Sequence, residues 1–352
     1  MARLEAPGAG KASLSRRVLL AAGSSALLAA CGEQPNITVS RTPPLAGEQL
    51  VTDIEAIARA ARPGLLGVSL MNLENSEVFL QEGERPFPMQ SVFKAPLGAA
   101  VLGEVDAGRL SLDESFLLEA GHLSPPFSPI AAAWPTRRDY TARQLLEAAV
   151  GRSDNTAADV LLKRIGGPGA VTAWLDGRRL DEVRIDRYER ELQPQIYGMA
   201  SFRPDWRTDA AFLRARDSVP PQTRLAAIRR YLTDPRDTAT PRGILDFLGM
   251  LHRGELLTAR STQLLLGIMT HTATGPNRLR AGLPMDALLA HKTGTAGTDL
   301  GINPATADIG IFTLADRRAY AIAVFLAGST ADEATRDRII ADVARTAVRA
   351  VA

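Results

Sequence analysis

Apolar positions at Leu50, Ile54, Ile57, Ala58 and Ala61 recur three and four residues apart, and Pro63-Gly64 closes the run. That spacing predicts an amphipathic helix over 49–62. The period then changes to two. Leu65–Leu73 and Ser76–Leu80 read as strands, and Glu74-Asn75 between them predicts the turn of an antiparallel hairpin. From Ser91 to about Pro284 the pattern is helical almost throughout. Thr141-Ala142-Arg143-Gln144 is a capping-box opening ahead of Leu145, Leu146, Ala149 and Val150. A further helix starts near Thr156 and carries Val160, Leu161 and Ile165, and Gly243–Leu251 is helical again. Leu288–Thr295, Ile309–Leu314 and Tyr320–Leu326 return to strand character, with Asp316-Arg317-Arg318 turning between the last two. Thr330-Ala331-Asp332-Glu333 then predicts the cap of a closing helix whose apolar side holds Ile339, Ile340, Val343, Ala347 and Val348.

Strands at both ends and helices between them predict an α/β (α+β) fold. Its antiparallel sheet is flanked by helices and built from both termini, about 49–85 and 285–352, with an all-helical lobe, about 86–284, inserted between. The active site is expected in the cleft between the lobes. A chain of 352 residues, 45% hydrophobic, has enough apolar material for such a core.

Charge changes the picture at the N-terminus. The formal charge is +2, but residues 1–31 hold four basic side chains (Arg3, Lys11, Arg16, Arg17) against Glu5, and without them 37 basic residues face 38 acidic ones, a net of −1. No basic run remains, so nucleic acid is not an expected partner. Ser15-Arg16-Arg17 directly precedes the apolar run Val18–Ala30, the form read by twin-arginine export, and that run is too short to span a membrane stably. It ends Leu28-Ala29-Ala30-Cys31, and Cys31 is the only cysteine, without a disulfide partner in the chain. The expectation is a signal peptide over 1–31 that resembles a bacterial lipoprotein box. Cys31 would be lipidated, and 32–48 (with Pro35, Pro43 and Pro44) would form a flexible tether. The protein would then be a periplasmic monomer that touches membrane only through its lipid anchor.

The chemistry is carried by lysine, which this chain otherwise avoids. Only four of its 41 basic residues are lysines: Lys11, Lys94, Lys163 and Lys292. Arginine keeps its proton in a protein, whereas a desolvated lysine can release it. Lys94 follows Ser91 by three residues, one helical turn, within reach of its hydroxyl. Ser91 is expected in the first turn, where its N–H and the helix dipole face a developing anion. Ser153-Asp154-Asn155 follows a Gly151-Arg152 break between helices and can project a hydroxyl and an amide into a cleft. Lys292-Thr293-Gly294-Thr295 lies on a strand whose edge can pair with a substrate, Gly294 allowing close approach. His122, His252, His271 and His291 are scattered without ligand spacing, so neither a metal nor another cofactor is expected.

The three motifs in this order resemble the penicillin-recognising serine enzymes, and the class A serine β-lactamases in particular, over about residues 49–350. The resemblance implies the β-lactamase/transpeptidase-like fold and a β-lactam substrate. It implies Ser91 as nucleophile, with its proton taken by Lys94, by Glu189 through a water, or by both. Ser153 would relay a proton to the departing nitrogen under the field of Lys292. Glu189, in Arg187-Tyr188-Glu189-Arg190-Glu191-Leu192, matches the glutamate that drives water onto the acyl-enzyme. Asn155 would hold the substrate's side-chain amide, Thr293, Thr295 and Arg278 its carboxylate, and Phe127 would flank it. Thr274-Gly275-Pro276-Asn277-Arg278 also resembles a segment of carbapenem-hydrolysing members, but Gln90 and Ala296 stand where those carry a cysteine pair.

Two departures stand out. Gln193 occupies the place of an asparagine that helps fix the deacylating water. The aspartate expected to pair with Arg187 is Asp237, 50 residues on, so the glutamate loop carries an insertion of about 194–236. Thr208 and the apolar spacing in Gln222–Leu232 predict short helices there, a structured flap over the cleft mouth. Two other activities use the same three motifs: a D-alanyl-D-alanine carboxypeptidase or transpeptidase, which does not need Glu189, and a penicillin-binding sensor lipoprotein that stays acylated.

Overall fold

A computed structural model describes Leu45 and residues 47–351. The twin-arginine leader, Cys31 and nearly all of the tether lie outside the described residues. Five strands form the central antiparallel sheet: β1 (Leu65–Asn72), β2 (Val78–Gln81), β3 (Leu288–Thr295), β4 (Asn303–Thr313) and β5 (Ala319–Ser329). Their spatial order is β2-β1-β5-β4-β3, so both ends of the chain meet where β1 pairs with β5, Leu65 opposite Ala327 and Asn72 opposite Tyr320. The helices include α1 (Glu48–Ala60), α2 (Lys94–Asp106), α3 (Asn155–Arg164), α4 (Glu189–Ile196), α5 (Asp209–Asp217), α6 (Pro221–Tyr231), α7 (Pro241–His252) and α8 (Glu333–Val351).

Alternation along β1 and β5 divides the core into two layers. Leu66, Val68, Leu70, Ile322 and Val324 face α1 and α8, meeting Leu50, Ile54, Ile340 and Val343; Leu45 is buried in the same layer. Met71, Ala321, Ala323 and Phe325 face the other way, into the cluster shared with α2 and α7. Each fully buried Leu, Ile or Phe here contributes roughly 1.5–3 kcal/mol. Helix α2 is apolar on every side and buried from Lys94 to Leu102, so whatever it carries is held rigidly.

The structure departs from the sequence pattern in identifiable places. Strand β4 begins at Asn303, not Ile309, because Asn303–Asp308 is buried on both faces and shows no alternation. Asp332, not Thr330, caps α8, accepting from Thr335 N at 2.7 Å. The helix opened by Thr141 stops at Leu146 and widens into a π-turn over Glu147–Gly151, just before the Ser153 loop; such turns cluster at functional sites. Within the helical region, Phe87–Pro88 pairs with Thr238–Ala239 and Ser115–Leu117 with Asp139–Thr141, strands too short to leave a periodic signal. The insertion folds as α5 and α6 around its own small core of Leu192, Ile196, Tyr197, Met199, Phe212 and Tyr231, with Thr208 capping α5.

Candidate active site

Gln90–Phe93 form a single 3-10 turn that runs straight into α2, so Ser91 precedes the α-helix rather than lying in its first α-turn. Lys94 opens α2 and is fully buried. Its Nζ donates to Ser91 Oγ at 2.9 Å, to Ser153 O at 2.7 Å and to Asn155 Oδ1, and it faces Glu189 Oε1 at 3.2 Å. One buried amine thus joins the serine to the glutamate.

Ser153 sits in a left-handed conformation, φ 61°, which an L-residue adopts only when its surroundings enforce it. The preceding π-turn and the bonds of its neighbours do so. Asp154 caps α3 and receives Ile130 N and Ser128 Oγ; Asn155 donates its amide to Pro126 O at 2.7 Å. The twist aims Ser153 Oγ at Lys292 Nζ, 2.9 Å away. Burial first, then the neighbouring Lys94, hold Lys292 well below the ordinary lysine range, a state suited to passing a proton through Ser153.

Glu189 opens α4 and is buried, with Gln193 one turn on donating Nε2 to Glu189 Oε2 at 2.8 Å. Its other oxygen, Oε1, takes no hydrogen bond from any protein donor among the described residues. The backbone of Glu189 is anchored by Asp159, which accepts from Glu189 N at 2.7 Å and Arg190 N at 3.1 Å. Burial, then the Glu189 charge, raise Asp159 to about 7. A carboxyl raised in the folded state loses its stabilising proton as pH climbs from its unfolded value, about 4, through 7. Stability should therefore fall over that window by a few kcal/mol through this group, and Asp159→Asn should flatten that part of a pH series of thermal melts.

Strand β3 is the sheet edge facing the cleft and presents Thr293 and Thr295. Gly294 has a packing reason that the sequence did not show. A Cβ there would lie 2.4 Å from Met89 O, so the glycine lets the strand pack against the turn that carries Ser91. Gly294→Ala should push the two apart, costing about 1–3 kcal/mol as overpacking does and far more in activity; a melt and a turnover assay on one preparation check both. Arg278 also differs from expectation. Its Nε is spent on Asp337 at 2.7 Å and its Nη1 on the carbonyls of Gly294 and Ala307, so it braces β3 from a buried position while still lining the cleft.

The cleft has a volume of about 570 Å³. Ser91, Ser153, Asn155, Gln193, Thr293 and Thr295 line one part of it, and Asp209, Phe212, Leu213 and Arg216 of the insertion line another. Phe127, half exposed on the rim, donates its N–H to Asp209 Oδ1 at 2.9 Å. Arg187 pairs with Asp237 across the base of the insertion at 2.5 Å, and Arg224 of α6 meets Asp299, in the loop after β3, at 3.0 Å. A larger groove of about 970 Å³, between α1 and the β2 edge, contains none of the motif residues.

Residues 49–351 match the model of the Beta-lactamase enzyme family. The chain is 30% identical to the β-lactamase VEB-1 of Pseudomonas aeruginosa, over 85% of this chain and 89% of that one. It is 31% identical to the extended-spectrum β-lactamase PER-1 of the same organism, over 86% of each. Among solved structures it resembles the ancestral (GNCA) class A β-lactamase, with a TM-score of 0.69 and 32% identity over 86% of this chain and 99% of that one. The chain belongs to the β-lactamase family, class A. As in that family's name, its activity is hydrolysis of β-lactams.

For a β-lactamase, the residues missed by sequence reading are those that support the motifs. Asp159 lies one helical turn beyond Asn155 on α3, a spacing that could have flagged it. Gln90, singled out only for lacking a cysteine, instead donates Nε2 to Tyr231 Oη of the insertion. Nothing in the sequence links two residues 141 apart.

Proposed function

We propose that this β-lactamase works through an acyl-enzyme on Ser91. Ser91 Oγ attacks the lactam carbonyl and its proton passes to Lys94, or onward to Glu189, which lies beside the same amine. The N–H groups of Ser91 and Thr295 stabilise the oxyanion, each such donor being worth about 10²–10³ in rate. The ring nitrogen departs with a proton from Ser153 Oγ, replenished from Lys292. The proton taken from Ser91 passes back through Lys94 to restore the Ser153–Lys292 pair, so Glu189 is again a carboxylate. It takes a proton from the water that attacks the ester and returns it to Ser91 Oγ as the opened product leaves. Asn155 holds the acyl side-chain amide, and Thr293 and Thr295 the carboxylate. Arg278 contributes its charge from beneath the strand.

The observation that carries this reading is the unbroken contact Ser91 Oγ–Lys94 Nζ–Glu189 Oε1, at 2.9 and 3.2 Å, in a buried site. A carboxypeptidase or a sensor would have no use for a buried glutamate oriented from both sides by Lys94 and Gln193. The test is the number of turnovers. Purified protein mixed with excess chromogenic cephalosporin should hydrolyse many equivalents per molecule, whereas a sensor stops after one. We also propose that the protein is exported by the twin-arginine route and acts as a periplasmic monomer anchored through lipid on Cys31. Labelled palmitate should enter the wild type and not Cys31→Ser.

A further inference from the structure

We propose that Tyr231, supplied by the insertion, positions Glu189 through a directed chain of side chains, Tyr231–Gln90–Gln193–Glu189. This rests on the reading of Glu189 as the deacylating base and adds the element that holds it. Gln90 Nε2 donates to Tyr231 Oη at 2.5 Å; Gln193 Nε2 donates to Gln90 Oε1 at 3.3 Å and to Glu189 Oε2 at 2.8 Å. All four residues are buried, between 1% and 8% exposed. Water therefore cannot easily substitute for a missing partner.

The chain has a polarity. A primary amide donates at one end and accepts at the other. The Glu189 carboxylate only accepts, so it holds the Gln193 NH₂. That group in turn draws the Gln90 carbonyl, which leaves the Gln90 NH₂ for the Tyr231 oxygen, and the Tyr231 hydroxyl satisfies it there. Were Gln90 to flip, its NH₂ would meet that of Gln193. Gln193 would then turn its carbonyl towards the Glu189 carboxylate and drive the base out of place. Gln90 adopts a left-handed φ of 46° beside the nucleophile, a strained conformation that needs such restraint. The Tyr231 ring is itself fixed in the insertion's apolar core with Leu192, Ile196 and Phe212. The insertion thus reaches the chemistry from behind, as well as lining the cleft in front.

Tyr231 is a positioning residue, so its effect should appear in one step only. Tyr231→Phe keeps the ring and removes the hydroxyl. Its acyl-enzyme should decay about tenfold more slowly, the weight of roughly one buried hydrogen bond, while acylation stays within about twofold of wild type. Gln90→Met cuts the same chain, and adding Tyr231→Phe to it should bring no further loss. Additive losses in the double variant, or equal slowing of both steps, would reduce Tyr231 to a packing residue and overturn the relay. Glu189→Gln, measured alongside, separates the two levels. If it deacylates normally, the base assignment itself fails. If it stalls while Tyr231→Phe deacylates at the wild-type rate, only the relay fails.

Discussion

Ser91→Ala should lose β-lactam hydrolysis almost completely, by a factor on the order of 10⁶, as happens when a nucleophile that acts as a unit with its base is removed. The fold should survive. Ser91 Oγ is only one of the partners of Lys94, which keeps Ser153 O, Asn155 Oδ1 and Glu189. Loss of one partly exposed hydroxyl in a 3-10 turn is expected to change stability by less than about 1 kcal/mol. Steady-state assays with a chromogenic cephalosporin, paired with a thermal melt, read both quantities. Turnover retained in a well-folded Ser91→Ala protein would place the nucleophile elsewhere.

Glu189→Gln should lose on the order of 10²–10⁴ in turnover, the usual contribution of a positioned general base, and should do so mainly after acylation. The amide keeps the shape of the carboxylate and still accepts from Gln193. It cannot take a proton from water. It also leaves Lys94 without the charge at 3.2 Å, so some slowing of acylation is expected as well. The diagnostic is the ratio of the two effects: deacylation must fall further than acylation, so that acyl-enzyme builds up during the reaction. Equal losses would mean that Glu189 serves only as a counter-charge.

How much of this was legible in the sequence depended on whether a feature is local. The α1 helix and the β1–β2 hairpin have short-range periodicity and appear nearly where the pattern puts them. The order of the three motifs pointed to one site, although Ser153 and Lys292, which meet at 2.9 Å, are 139 residues apart. What periodicity cannot carry is the support around that site. β4 is longer than its pattern because strands buried on both faces do not alternate. The packing of Gly294 against Met89 O is likewise invisible in the local pattern. The ion pair between Arg224 and Asp299 and the bond between Gln90 and Tyr231 depend on how the insertion folds back, and tertiary return of that kind leaves no trace in spacing.

The most direct test of the mechanism is a time course of peptide-level mass spectrometry on wild type and Glu189→Gln, each mixed with the same β-lactam. The account predicts a substrate-mass adduct on the peptide containing Ser91, brief in wild type and persistent in Glu189→Gln. An adduct on any other residue, or one that disappears equally fast from both proteins, would contradict it.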